Sequence, residues 1–132
     1  MSLDTDTIEN ADEASRAETE RYEKAYRETR RVLDESIEAL AILEELEVDA
    51  DMRFQISQKR EALETARTDL CSANIAFHTG KATMRPPPPP LVNEIQALSK
   101  QAVELTVEKA SAEAVLKLAT SALNKFAEVQ TI

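Results

Sequence analysis

All five prolines of the chain lie in one run, Pro86 to Pro90, and the only glycine, Gly80, lies six residues before it. Inside a helix, proline removes a backbone donor and clashes with the preceding turn, while glycine costs about 1 kcal/mol relative to alanine. Because both strong helix breakers are confined to residues 80–90, the sequence predicts one obligatory break. Long helices are expected on either side of it, in an all-α fold.

The composition limits the size and setting of this fold. At 132 residues the chain is long enough for one domain with a real core, and with 4% aromatic residues and no tryptophan that core needs Leu, Ile, Val and Ala. The single cysteine, Cys71, excludes an intramolecular disulfide and fits a reducing compartment. The N-terminus lacks a signal-peptide pattern. We expect a single helical domain over residues 1–132 in the cytoplasm.

The acidic charge is concentrated at one end of the chain. Residues 1–50 contain 16 acidic and 6 basic side chains, whereas the rest of the chain is nearly balanced. Nucleic acids and anionic membranes attract clustered Lys and Arg, so neither is expected as a partner. A basic protein could instead bind the acidic first segment.

The first predicted helix runs from about residue 6 to 47, with Asp6 and Glu9 as a carboxylate capping box. Its apolar residues follow a spacing close to 3.5 from Tyr22 onward: Tyr22, Tyr26, Leu33, Ile37, Leu40, Leu43 and Leu46. Burial is therefore expected to begin near Tyr22. Tyr22 and Tyr26, one turn apart, are also a possible partner patch, although packing in the seam is the favoured interpretation.

The second predicted helix, about 51–79, carries a clear heptad seam. Its apolar positions include Met52, Ile56, Leu63, Leu70 and Phe77, and Lys59 is the one polar residue among them. The heptad phase slips by two residues between the first and second helices, and Asp49 or Asp51 could cap a new helix there. A turn is predicted; one continuous helix over residues 6–78 is the competing interpretation, since no Gly or Pro forces the break.

Gly80 suits the end of the second helix, and residues 80–90 form a stiff connector. The third predicted helix covers about 91–130, and its seam is Leu91, Ile95, Leu98, Ala102, Leu105, Lys109, Ala112, Leu116, Ala119, Leu123 and Phe126. In residues 91–132, 22 of 42 side chains are apolar, which is typical of a helix covered on several sides. The three helices predict an antiparallel three-helix bundle or coiled coil with overhanging ends.

No residue pattern indicates catalysis, a cofactor or a metal. His78 is the only histidine, so it has no second histidine for a zinc site. The acidic stretch lacks the glycine turn of a calcium loop, and the chain has no phosphate loop or nucleophile elbow. The proline run is either a rigid spacer, the favoured interpretation, or a ligand for an aromatic groove. We expect a protein that is not an enzyme.

Helix lengths suggest self-association. Folding about the proline connector pairs the second helix with the third and leaves about 14 residues of the third helix without a neighbour. This projection carries the expected oligomer interface: Leu116, Leu123, Phe126 and Val129. Covering it with a second copy predicts a homodimer.

Two functions are consistent with these features. The first is a non-enzymatic scaffolding or assembly protein that acts through self-association of apolar helix faces. The alternative is an acidic adaptor or chaperone, of a secretion or phage assembly type, that binds a basic partner through the first helix. The expected partner is a second copy of the chain or another helical or basic protein.

Overall fold

The computed structural model describes residues 5–129, with side chains from residue 15 onward. Within this range the chain forms four helices: α1 (Thr5–Leu46), α2 (Ala50–His78), α3 (Pro89–Glu108) and α4 (Ala112–Ala127). The expected all-helical class is confirmed. The expected number of three helices is not confirmed, since the chain after the prolines forms two helices, α3 and α4, instead of one.

The helices alternate in direction around α1. Asp34 of α1 pairs with Arg67 of α2, and Glu44 with Arg60, so α1 and α2 form an antiparallel hairpin. α3 then runs parallel to α1. Arg21 donates a hydrogen bond to the carbonyl of Pro87, just before α3, and Thr106, near the end of α3, donates one to the carbonyl of Glu35. α4 returns alongside α1. The first helix packs against all three others, whereas α2 touches α4 only slightly and does not contact α3 within the described residues.

Both ends of α2 are capped by hydrogen bonds of a common kind. The carboxylate of Asp49 accepts a hydrogen bond of 3.3 Å from the backbone N–H of Met52, which caps α2 at its start. At the other end, Gly80 adopts a left-handed φ of 74°, and the N–H of Lys81 donates to the carbonyl of Ala76. The turn of residues 47–49 therefore separates two helices, in place of one continuous helix.

The proline connector is packed against the bundle. Pro89 and Pro90 occupy the first turn of α3, where a missing backbone donor costs little. Pro87 is buried, and its carbonyl accepts a hydrogen bond of 3.0 Å from Arg21 Nε. Only Pro86 and Pro88 remain as exposed, extended prolines, an arrangement that favours the spacer interpretation.

The expected single third helix is interrupted at residues 109–111. Lys109 takes a left-handed φ of 55°, and the N–H of Ala110 donates to the carbonyl of Leu105, as at a helix end. The hydroxyl of Ser111 then caps α4 by accepting from the N–H of Ala114 at 3.2 Å. The chain reverses here, so both the predicted overhang and the predicted pairing of the second helix with the third are wrong.

α1 is buried along two seams. Leu33 and Leu40 belong to the large apolar seam expected from the sequence. A second seam, not anticipated, consists of small buried residues spaced three or four apart: Ala25, Thr29, Val32, Ser36 and Ala39. Small side chains let neighbouring backbones approach closely, and Val32 clusters with Ala102 of α3 and Ala122 of α4. This explains how one helix can serve as the centre of the bundle.

Candidate functional site

α2 is attached to the bundle along a single line of residues. Its buried side chains are Ile56, Leu63 and Leu70, spaced seven apart. Two flanks border this line, each also with a seven-residue spacing. The charged flank, next to α1, contains Arg53, Arg60 and Arg67; the apolar flank, next to α4, contains Met52, Lys59, Ala66 and Ala73.

The charged flank is occupied by contacts within the chain. Arg60 Nε lies 2.9 Å from Glu44 Oε2, and its Nη1 lies 2.8 Å from Glu64 Oε1. The hydrogen bond to Glu44, followed by that to Glu64, raises the pKa of the Arg60 guanidinium. Arg67 pairs with Asp34 at 2.9 Å, and Arg53 donates two hydrogen bonds to the carbonyl of Glu47. A wide, shallow groove of about 850 Å³ follows this flank.

The apolar flank faces a second groove, between α2 and α4. A cleft of about 290 Å³ near the α1–α2 turn is lined in part by Met52, Ile56 and Ala112. Further along, a cleft of about 230 Å³ is lined by Ala66, Asp69, Leu70, Leu123 and Phe126. We call this surface, from Met52 to Ala73 on α2 and from Ala112 to Leu123 on α4, the α2–α4 groove. It is open because its two walls barely touch.

The structure places the expected seam residues at different depths. Ile56, Leu63 and Leu70 are buried, and Phe77, Leu98 and Leu105 are partly buried. Met52 differs from expectation: it is 45% exposed, because it lies on the apolar flank of α2 where α4 does not cover it.

The expected oligomer interface is divided between the core and the surface of the bundle. Phe126 and Val129 are only 2% and 1% exposed, because α4 folds back onto α1. The ring of Phe126 lies 6.0 Å from that of Tyr22, inside the core. These two residues therefore cannot form an exposed stripe. Leu116 and Leu123 remain partly exposed on the α4 side of the groove.

The two tyrosines of α1 pack inside the bundle edge. Tyr22 is 2% exposed, and its hydroxyl donates to Asn74 Oδ1 at 2.9 Å. Burial, followed by repulsion from the charges of Tyr26 and Glu23, raises the pKa of Tyr22 to about 12. Tyr26 is partly buried and its hydroxyl donates to Cys71 Sγ at 3.4 Å. The geometry favours packing over a partner patch.

A further apolar surface lies at the α1–α2 turn. Leu46 was expected in the seam of the first helix, whereas Val48 and Phe54 were not singled out from the sequence. Leu46, Val48 and Phe54 are 58%, 90% and 63% exposed. The heptad spacing of Arg53, Arg60 and Arg67 was also overlooked, although it can be read directly from the sequence. The three arginines, Val48 and Phe54 lie outside the apolar seam, so apolar periodicity alone does not reveal them.

Comparison with protein-family models, curated proteins and solved structures gave no match. Across residues 5–129, no helix combines the length and apolar character needed to cross a bilayer. In the same part of the chain, no three His, Cys, Asp or Glu side chains are grouped so that they could hold a metal ion. The α2–α4 groove, with Met52 and Leu123 on its two walls, is the candidate interaction site.

Proposed function

We propose that this chain is a non-enzymatic helical assembly module that self-associates through the α2–α4 groove. The observation that carries the proposal is the open groove itself. It is bordered by the partly exposed apolar residues Met52, Leu116 and Leu123. Apolar strips of this kind on an otherwise charged surface mark protein interaction sites. The free thiol of Cys71 fits a cytoplasmic protein.

The shape of the groove suits a helix. α2 and α4 both run antiparallel to α1, so they form two roughly parallel walls with a shallow channel between them. Helices pack at about 8 to 10 Å by setting ridges into such grooves, and burial of apolar surface contributes about 25 cal/mol per Å². A homodimer with two-fold symmetry is the simplest assembly that covers the groove on both copies.

Light scattering coupled to gel filtration tests the proposal. The wild-type chain at tens of micromolar should show about twice its monomer mass of 14.7 kDa. Met52→Asp and Leu123→Asp should shift the mass toward the monomer, because both place a charge in the groove. Phe54→Asp is the matched control, since Phe54 is 63% exposed and lies outside the groove.

Circular dichroism of each variant is the folding control and should show that its helices are retained. A wild-type mass of 14.7 kDa throughout this concentration range would contradict self-association. A dimer that Phe54→Asp weakens as much as Met52→Asp would place the interface elsewhere.

A second candidate is an acidic adaptor that binds a basic partner along α1. It is favoured by the α1–α2 groove, where five carboxylates stand against three arginines. Within residues 15–129, Glu38 and Glu45 of this groove form no salt bridge. Binding of a basic peptide here should disappear at about 0.5 M salt, where the Debye length is only a few Å. Apolar self-association should persist under the same conditions.

A further inference from the structure

We propose that the second copy docks antiparallel in the α2–α4 groove, with the two-fold axis level with residue 64 and between Ala62 and Ala66, so that Lys59 of each copy meets Asp69 of the other. This inference rests on the proposed self-association and adds its orientation and register. It is carried by the residue spacing of α2, by the charged side chains of Lys59 and Asp69 on the α2 wall and by the shape of the centre of this wall.

The flank of α2 that faces the groove has a symmetric spacing. The residues of this side of α2 are separated by alternating steps of three and four: Met52, Gln55, Lys59, Ala62, Ala66, Asp69, Ala73 and Ala76. Five of them line the two clefts of the groove: Met52, Gln55, Lys59, Ala66 and Asp69. The steps are the same when read from either end. In an antiparallel pair centred on residue 64, Ala62 therefore faces Ala66 of the second copy, and Lys59 faces the second copy's Asp69. Such a flank can pack against a reversed copy of itself without a change of register.

The centre of this flank is made of small residues. Ala62 is exposed and Ala66 is partly buried, so the surface of α2 is lowest midway along the groove. Helices that meet at alanines can approach more closely than helices that meet at leucines. A second α2 lying over Ala62 and Ala66 would also reach Leu116 and Leu123 on the α4 wall. This arrangement covers the apolar border that the fold leaves open.

The charges select the orientation. Within residues 15–129, neither Lys59 nor Asp69 forms a salt bridge. Neither has an oppositely charged residue three or four positions away on α2, where a helical ion pair would form. A parallel pair of α2 helices would place Lys59 against Lys59 and Asp69 against Asp69. The antiparallel pair replaces these repulsions with two attractions.

Charge reversal in trans tests the register. Lys59→Glu and Asp69→Lys each turn both attractions of a homodimer into repulsions, and each should raise the dimer dissociation constant about tenfold. In an equimolar mixture of the two variants, a heterodimer restores both attractions. Native mass spectrometry should therefore find the heterodimer in excess over both homodimers, with an affinity near that of the wild type. Glu61→Lys, an exposed charge reversal off the groove flank, is the control and should leave the dimer unchanged.

A steric variant tests the same register independently of charge. Ala62→Lys places a long side chain where the two helices cross and should dissociate the dimer. Thr68→Lys, an exposed position on another face of α2, should not. Because both positions are exposed, the helical content of the monomer should be preserved in each.

The outcomes separate this inference from the proposed function. A monomeric wild type would overturn both. A wild-type dimer whose affinity is insensitive to Lys59→Glu, Asp69→Lys and Ala62→Lys would overturn the antiparallel register while leaving self-association in place. A statistical mixture of homodimers and heterodimers would likewise exclude the contact between Lys59 and Asp69.

Discussion

The two flanks of α2 differ in what they leave for other molecules. On the α1 side, Arg60 and Arg67 are engaged by carboxylates of the same chain. On the α4 side, Lys59 has no such partner within residues 15–129, and the neighbouring alanines are only partly covered. The arginines of the wider groove are thus satisfied within the chain, whereas Lys59 of the smaller groove is not paired among the described residues.

The largest expected effect is the loss of stability on truncating a buried residue of α2, in the line between its two flanks. Leu70 is 4% exposed, so Leu70→Ala should lower the free energy of unfolding by about 2 to 5 kcal/mol through lost burial and a residual cavity. Met52→Ala, on the apolar flank, should cost under about 1 kcal/mol in the monomer because Met52 is 45% exposed. Urea denaturation at low protein concentration measures both. Equal losses would show that α2 is not attached along one line.

The next effect is expected at high pH and concerns Tyr22. Its hydroxyl donates a hydrogen bond to Asn74, near the C-terminal end of α2. Because the pKa of Tyr22 is raised from 10.0 to about 12, the folded state keeps the proton that the unfolded state loses first. Stability should be unaffected below pH 10 and should fall as the pH rises from 10 through 12. The loss is at most about 3 kcal/mol.

The difference between wild type and Tyr22→Phe isolates this contribution from other groups that titrate in the same range. The free energy of unfolding should be measured for both between about pH 8 and 12. Curves that stay parallel over this range would show that Tyr22 is not protected from ionisation.

A smaller, stabilising effect is expected at the turn that sets α4 as the second wall of the groove. Lys109 adopts a left-handed φ of 55°, which costs a residue with a Cβ about 1 kcal/mol but costs glycine little. Lys109→Gly should therefore raise the free energy of unfolding by about 0.5 to 1 kcal/mol. Lys109→Ala removes the same charge without relieving the backbone, so it should bring no such gain. Thermal denaturation of the two variants shows whether a gain in stability comes from relief of the backbone or from removal of the charge.

The smallest effect is expected on the charged flank. The side chains of Arg67 and Asp34 are 37% and 47% exposed, and pairs this accessible contribute about 0.2 to 1 kcal/mol. A double-mutant cycle with Arg67→Gln and Asp34→Asn should give a coupling in this range that shrinks with added salt. A coupling above about 2 kcal/mol would mean that ion pairs, not the buried line, hold α2 in place.

The helix breakers made much of the fold predictable. The end of α2 at Gly80 and the helix that follows the prolines both come from residues with strong backbone preferences. The cap at Asp49 was also within reach, because a phase slip in the apolar pattern accompanied a residue suited to capping. Positions such as these are determined locally.

The turn at residues 109–111 was missed because no strong breaker stands there. Lys109 accepts a conformation that lysine does not favour, and packing of α4 against α1 repays the cost. Two weaker signals were present in the sequence. Ser111 is a good capping residue, and the apolar seam, continued through one helix, places Lys109 at a position that would have to be buried. Because that break was missed, Phe126 and Val129 were assigned to a surface instead of the core.

The attachment of α2 along one line also has a kinetic consequence. Because only three side chains of α2 are fully buried, we expect α2 to detach before α1, α3 and α4 lose their mutual contacts. Its amide protons should then exchange with solvent through partial opening, ahead of global unfolding. A molecule that fills the α2–α4 groove binds only the closed form, so it slows this exchange in proportion to its occupancy. Slower exchange of the amide protons of α2 would therefore show that the α2–α4 groove is occupied.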